Sequence, residues 1–105
     1  MKYVLGIDFG GGASKATLLS EDGKITATAF KEYATYTVAG GGREQKPDEW
    51  LGAALDNIQT VIGVSRIDAK DIVCVCFDAA THTAVLMDEN GEVLAPSVYS
   101  VSYTH

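Results

Sequence analysis

The stretch that decides the fold is residues 5–15, with the sequence LGIDFGGGASK. An apolar strand over residues 2–8 leads into Asp8, a turn of three glycines follows, and a second strand is predicted over residues 15–20. A carboxylate beside a turn rich in backbone N–H groups suits phosphate and hydrated Mg²⁺. The alternative is a plain β-hairpin with a glycine-rich turn, in which Asp8 is a turn residue. These residues by themselves favour neither interpretation.

Composition narrows the classes of partner. The chain has 105 residues, enough for one small domain, and its net charge is −6. Without a basic patch we expect no nucleic acid and no anionic membrane as a partner. No apolar run is long enough to span a bilayer, and Asp8 comes too early for a signal peptide. We therefore expect a soluble, cytoplasmic protein.

Cys74 and Cys76 lie two residues apart on a predicted strand, so their side chains share one face. A metal site would require further Cys or His ligands at suitable spacing, and the histidines of the chain are His82 and His105. A disulfide between the two would strain an extended strand. We interpret them as two reduced cysteines in the core.

The remaining pattern predicts an α/β (α+β) domain with a mixed sheet. Residues 25–30 alternate and follow an Asp-Gly turn, which predicts a third antiparallel strand. A helix is predicted from Pro47 to Gly63, with an apolar face of Trp50, Leu51, Ala54, Leu55, Ile58, Val61 and Ile62. Residues 72–77 are apolar throughout, as expected for a central strand covered on both faces. Residues 83–87 and 92–95 flank an Asn-Gly turn, so the order is βββαβ followed by a hairpin, with residues 33–43 irregular.

Three segments resemble the N-terminal part of the FGGY family of carbohydrate kinases, most closely its xylulokinase-like members. They are residues 6–15, 44–50 and 78–88. The resemblance implies a ribonuclease-H-like mixed sheet in an incomplete actin-like ATPase domain, with residues 1–105 as a partial N-terminal domain. ROK-type kinases and acetate-kinase-like enzymes of the same superfamily are alternatives, and the second and third segments favour FGGY over them.

The resemblance also implies roles for individual residues. Asp8 matches the family's catalytic-site Asp that faces the phosphate and holds Mg²⁺, through water. ATP phosphates would lie on the cofactor-binding hairpin of Gly10, Gly11, Gly12, Ala13, Ser14 and Lys15. Thr81 and His82 match a Met-His pair that contacts the sugar, and a neutral imidazole can donate and accept hydrogen bonds with a polyol.

Two departures from the family pattern shape the functional expectation. Relatives usually have Ser or Thr after Gly10, whereas Gly11 and Gly12 follow here, and residues 97–105 lack the expected acidic residue and Arg. The resemblance implies that the base and the adenosine site lie beyond this sequence. We expect a fragment of an ATP-dependent carbohydrate kinase, with a pentulose such as xylulose favoured. The chain alone should be inactive, should not hold ATP or Mg²⁺ tightly, and should self-associate through an uncovered sheet edge. The competing hypothesis is a stand-alone, non-catalytic module that binds a small ligand or a protein.

Overall fold

Alternating apolar residues fold the first third of the chain into an antiparallel meander. The structure, a computed structural model, describes residues 1–79, 85, 87–94 and 96–98. Strands β1 (Tyr3–Phe9), β2 (Ala13–Ser20) and β3 (Ile25–Glu32) pair in sequence order. The three predicted strands are therefore confirmed, although β2 begins at Ala13, two residues before the predicted start.

Helix α1 (Pro47–Ser65) begins as its sequence predicts, with Pro47 in its first turn and two acidic residues near the positive end of its dipole. The predicted end at Gly63 is wrong, because the helix continues to Ser65. Arg66 takes the left-handed cap at φ 59°, and its N–H donates to the carbonyl of Ile62 at 3.0 Å. The chain thus ends this helix without a glycine at the left-handed position.

The core lies between α1 and the meander. Its buried members are mostly small or aliphatic: Leu5, Ile7, Ala16, Leu18, Ala27, Ala54 and Val61. The helix packs mainly on β2 and β3, where the alanines let the helix approach the sheet closely. Leu51 and Leu55, predicted on the buried face, are instead 57% and 50% exposed, because the face in contact with the sheet is centred on Ala54, Asn57 and Val61.

Strand β6 (Ile72–Ala79) runs parallel to β1 and completes a sheet of order β3-β2-β1-β6. The parallel strand after a helix is confirmed, but its central, covered position is wrong. Val73, Val75 and Phe77 are 59%, 44% and 65% exposed, because α1 packs mainly on β2 and β3. In the described part of the chain, no strand pairs with the outer edge of β6.

A small second sheet occupies part of the region predicted to be irregular. Strands β4 (Tyr36–Thr37) and β5 (Arg43–Gln45) pair antiparallel, and β7 (Ser97–Val98) adds to β5. A bridge between Met87 and Val93 supports the predicted second hairpin, and Gly91 has φ +81° in its turn. Among the described helices, none combines the length and hydropathy needed to cross a membrane.

One buried hydroxyl gives a stability prediction. Ser14 is fully buried, and its Oγ has no hydrogen-bond partner within the described residues. Burying an unpaired hydroxyl costs free energy, so Ser14→Ala should raise the free energy of unfolding by about 1 kcal/mol. Chemical denaturation followed by circular dichroism measures this change.

Ser20 is the matched control, because it is also buried but its hydroxyl bonds to Asp22 and to the carbonyl of Lys24. Ser20→Ala should lower the free energy of unfolding by about 1 kcal/mol. Equal effects of the two substitutions would contradict the argument.

Candidate functional site

Three charged residues meet at one end of the main sheet. In the strand registers Asp8 of β1 lies opposite Lys15 of β2 and opposite Asp78 of β6. Because Leu5 and Ile7 point to the helix, the alternation along β1 places Asp8 on the open face. The three charged side chains line a shallow cleft of about 310 Å³, together with Gly6, Ile7, Thr17, Cys76 and Phe77.

The two carboxyl groups in this cleft share a hydrogen bond. That bond with Asp78 raises the pKa of Asp8 above its ordinary value of 3.8; partial desolvation and the Asp78 charge add to the shift, and Lys15 opposes it. Asp78 lies in one of the three segments that resemble the FGGY family, but the sequence predicted no role for it. The signal that could have found it is that parallel strands end at the same sheet edge, which brings residue 78 beside residue 8.

The glycine turn between β1 and β2 is held by its carbonyl oxygens. The Tyr33 hydroxyl donates to the carbonyl of Gly10, and the Gln45 side-chain amide donates to the carbonyl of Gly11 at 2.6 Å. The backbone N–H of Tyr33 donates to the carbonyl of Gly12 at 3.0 Å. All three glycine carbonyls are therefore engaged by the protein.

The backbone N–H groups of the same turn differ from one another in their hydrogen bonds. The N–H of Gly10 closes the turn by donating to the carbonyl of Ala13 at 2.9 Å. The N–H groups of Gly11 and Gly12 make no hydrogen bond to any described residue. With the carbonyls occupied, these two amides are the polar groups that the turn offers to an anion.

Gln45 connects this turn to the start of the helix. Its side chain is almost fully buried; Nε2 donates also to Oγ1 of Thr35 at 2.9 Å, and Oε1 accepts from Nε1 of Trp50 at 3.1 Å. Residues 44–50 were recognised as a family segment, but this support of the turn was not predicted. It arises from side-chain contacts between distant residues, which a sequence pattern does not show.

The predicted site residues are only partly brought together. Asp8, Lys15 and the glycine turn lie at one end of the sheet, whereas the Ser14 side chain is buried on the opposite, helix-facing side. The carbonyl of Ser14 accepts from Nδ2 of Asn57 at 2.9 Å, so this residue anchors the hairpin to the helix. Thr81 and His82 lie outside the described residues.

The geometry fits a phosphate and a hydrated Mg²⁺. A Cβ added to Gly10 would lie 3.2 Å from the carbonyl of Ala13 and 3.9 Å from Oδ2 of Asp8, so the carboxylate and the turn are in contact range. A Cβ on Gly12 would meet no atom within 4 Å, which leaves space above the free amides. No group of three or more His, Cys, Asp or Glu side chains forms a metal cage within the described residues. Mg²⁺ commonly keeps several waters and binds through one or two carboxylates and substrate phosphates.

An aromatic cavity lies next to the turn. Its volume is about 280 Å³, and it is lined by Phe9, Gly10, Tyr33, Gln45, Trp50, Ala79 and Val85. Tyr33 and Trp50 have ring centroids 6.5 Å apart and tilted by 55°. Strand β6 ends at Ala79, which lines this cavity.

Comparisons with known proteins agree with this geometry. A family profile described as the FGGY family of carbohydrate kinases, N-terminal domain, matches residues 3–103. The xylulose kinase of Bacillus subtilis (strain 168) is 33% identical over 98 residues, which are 93% of this chain and 20% of that protein. The gluconokinase of the same organism is 31% identical over 96 residues, which are 91% of this chain and 18% of that protein.

A solved structure shows the same fold. The ligand-bound xylulose kinase from Lactobacillus acidophilus superposes with a TM-score of 0.82 at 26% identity, over 93% of this chain and 19% of that one. The chain spans about a fifth of the length of the curated relatives it matches.

The shared hydrogen bond predicts a pH-dependent effect of Asp78→Asn. Because the pKa of Asp8 is raised in the folded state, the pair's contribution to stability is complete in acid and is lost as the pH rises through the folded-state pKa. Asn removes the like charge and can donate to ionised Asp8. The variant should therefore be more stable than the parent at neutral pH, by less than about 1 kcal/mol for this exposed pair.

Denaturation midpoints measured between acid and neutral pH test this expectation. The difference between variant and parent should disappear below pH 3.8, the ordinary pKa of Asp8. Asp68→Asn is the control, because Asp68 lies outside this cleft, beside Lys70. A stability difference between Asp78→Asn and the parent that does not change with pH would show that the carboxyl pair is not its cause.

Proposed function

The chain belongs to the FGGY family of carbohydrate kinases, within the N-terminal domain of that family, and from this premise we propose its biochemical role. It supplies a phosphate-facing part of an ATP-dependent kinase that transfers the γ-phosphoryl group to a hydroxyl of a sugar or polyol. The observation that carries the proposal is the glycine turn that follows Asp8. Its carbonyls are bound by the protein, and the amides of Gly11 and Gly12 donate to no described residue.

Each polar group at this end of the sheet has a part in the proposal. The amides of Gly11 and Gly12 donate to phosphate oxygens, and the ammonium group of Lys15 offsets their charge. Asp8 would hold Mg²⁺ through water, and the cation bound with ATP would neutralise charge on the transferred phosphoryl group. Asp78 keeps Asp8 in place through their shared hydrogen bond.

A pentulose such as xylulose is the favoured acceptor, with Thr81 and His82 as its contacts. The support is the similarity to xylulose kinases, of which the one from Bacillus subtilis is 33% identical over 93% of this chain. Glycerol kinases of 33% and 34% identity make glycerol a second acceptor within the same proposal. A neutral histidine side chain offers both a donor and an acceptor to neighbouring hydroxyl groups. The proposal includes a cytoplasmic location, where ATP is available as the phosphoryl donor.

We propose that the 105-residue chain by itself does not catalyse the transfer. It spans about a fifth of the length of its relatives, and its described residues form a phosphate-facing surface that is open to solvent on one side. Phosphoryl transfer depends on holding donor and acceptor in line and excluding water, which a single shallow cleft does not accomplish.

A second candidate function is a non-catalytic module that binds a small ligand. The aromatic cavity beside Gly10 favours it, because that cavity is formed entirely within this chain. Aromatic walls with a few polar groups are typical of small-molecule sites. Specific binding of xylulose or another polyol to the intact chain, without turnover, would support this alternative.

An assay of ADP production tests the proposed role. With MgATP and xylulose, gluconate or glycerol, the chain should release no more ADP than its Asp8→Ala variant does. In parallel, MgATP should shift the backbone amide resonances of Gly11 and Gly12, while adenosine, which lacks phosphates, should leave them unchanged.

The two readouts separate the possible results. Turnover above the Asp8→Ala control would contradict inactivity of the isolated chain. Unchanged Gly11 and Gly12 resonances at millimolar MgATP would contradict the phosphate-facing role of the turn. Shifts caused equally by adenosine and by MgATP would place the nucleotide base, rather than the phosphates, at this surface.

We further propose that two copies of the chain associate through β6. Val73, Val75 and Phe77 are exposed on the side of the sheet that faces α1, since Leu5 pairs with Val75 and Ile7 pairs with Phe77. The helix adds an apolar flank of Leu51, Leu55, Ile58 and Ile62, which follow helical spacing. We call these seven residues, together with the edge of β6, the β6 surface.

The β6 surface suits antiparallel pairing with a second copy. No described strand pairs with its outer edge, and it carries no charge apart from Asp78, in a chain of net charge −6. Antiparallel pairing places the two Asp78 residues at opposite ends, whereas parallel pairing would place them side by side.

Sedimentation over a range of concentrations tests this association. Val73→Lys should weaken dimerisation by about tenfold or more, because it puts a charge into the apolar edge. Val64→Lys is the matched control, since Val64 is 71% exposed and lies outside the β6 surface. A parent chain that stays monomeric at high concentration, or equal effects of both substitutions, would contradict the proposal.

A further inference from the structure

Two thiols on the open face of the sheet have no part in the proposed phosphate chemistry. Cys74 and Cys76 were predicted to be core residues, and this is wrong, because both are free and exposed. They lie on β6, whose outer edge is unpaired within the described residues, and they share the face that carries Asp78. Their Sγ atoms are 3.6 Å apart.

This separation of the two Sγ atoms suits two ligands of one tetrahedral metal ion. Two thiolates at 3.6 Å, each bound at the usual zinc–sulfur length of about 2.3 Å, enclose an angle of about 103° at the metal. The ideal tetrahedral angle is about 109°, so the two side chains need almost no rearrangement to chelate one ion. We propose that Cys74 and Cys76 form a two-thiolate site for a divalent d¹⁰ ion of the Zn²⁺ or Cd²⁺ class.

The surroundings leave room for the rest of the coordination shell. Cys74 lies beside Val4 and Cys76 beside Gly6, and Gly6 presents no side chain next to the second thiol. Cys76 also lines the open cleft of about 310 Å³, so solvent reaches the metal position. Since no third His, Cys, Asp or Glu completes a cluster within the described residues, water fills the remaining positions.

Ligand type separates this site from the one at Asp8. Thiolates favour zinc, cadmium and other soft ions, whereas Mg²⁺ takes oxygen ligands. Binding needs no oxidant, because each thiol loses its proton and each sulfur donates an electron pair. One M²⁺ and two thiols give one neutral dithiolate and two released protons.

The decisive experiment titrates the reduced chain with Cd²⁺ alone, in the presence of a phosphine reductant. One equivalent per chain should produce the ultraviolet thiolate-to-cadmium charge-transfer band and release two protons. Cys74→Ser and Cys76→Ser should each lower the affinity by at least about tenfold, since one chelating ligand is lost. A large excess of Mg²⁺ should not displace the bound ion.

Serine is close to cysteine in size and both positions are exposed, so the variants should keep the fold; circular dichroism checks this. Protection of both thiols from alkylation by one equivalent of Cd²⁺ is the second measurement. Three results would overturn the proposal: no charge-transfer band in the parent, uptake retained by the double serine variant, or a stoichiometry of half an ion per chain. The last would mean that two chains share one ion, in place of a site contained in a single chain.

Discussion

The hydrogen bonds that hold the three glycine carbonyls are the constraint on which the rest of the site depends. A turn of three glycines can adopt many conformations. Whether it presents C=O or N–H groups to a ligand is fixed only when the protein binds one of the two kinds of group. Tyr33 and Gln45 engage the carbonyl side, which leaves the amides of Gly11 and Gly12 directed away from the protein's own acceptors. The conformation of the turn therefore depends on residues 20 to 35 positions further along the chain.

Of the residues that hold the turn, Gln45 is the one whose loss would destabilise the structure most. Its buried amide satisfies three partners at once: the turn, Thr35 and the indole of Trp50. Removing it would leave buried donors and acceptors unpaired, at about 1–3 kcal/mol for each unpaired group, which exceeds the net gain from an ordinary hydrogen bond. The same residue belongs to β5, so the small second sheet positions the support of the turn as well as extending the fold.

Local patterns predicted the parts of the fold that local physics determines. The meander, the start of α1 and the parallel β6 followed from alternation, capping and the order of elements, and all three are present. The apolar run alone predicted a covered strand, because it has the same sequence whether or not a neighbour covers it. The uncovered edge was expected only from the resemblance, in which further strands and helices cover this sheet. The roles of Gln45 and Asp78 depend on contacts across 34 and 70 residues, which no pattern within a segment encodes.

The charge balance at Asp8 explains why two carboxyl groups can lie where a polyanion is expected. The chain carries a net charge of −6, and Lys15 is the cation opposite Asp8 in the register. Two ionised carboxylates beside the turn repel a phosphate, and Lys15 offsets part of that repulsion. The raised pKa of Asp8 means that the pair retains a shared proton to higher pH than an isolated carboxyl would. The shared hydrogen bond therefore lowers the negative charge of the cleft only while Asp8 is protonated. Once Asp8 is ionised, Lys15 and the two turn amides without a described acceptor are the groups that favour an anion.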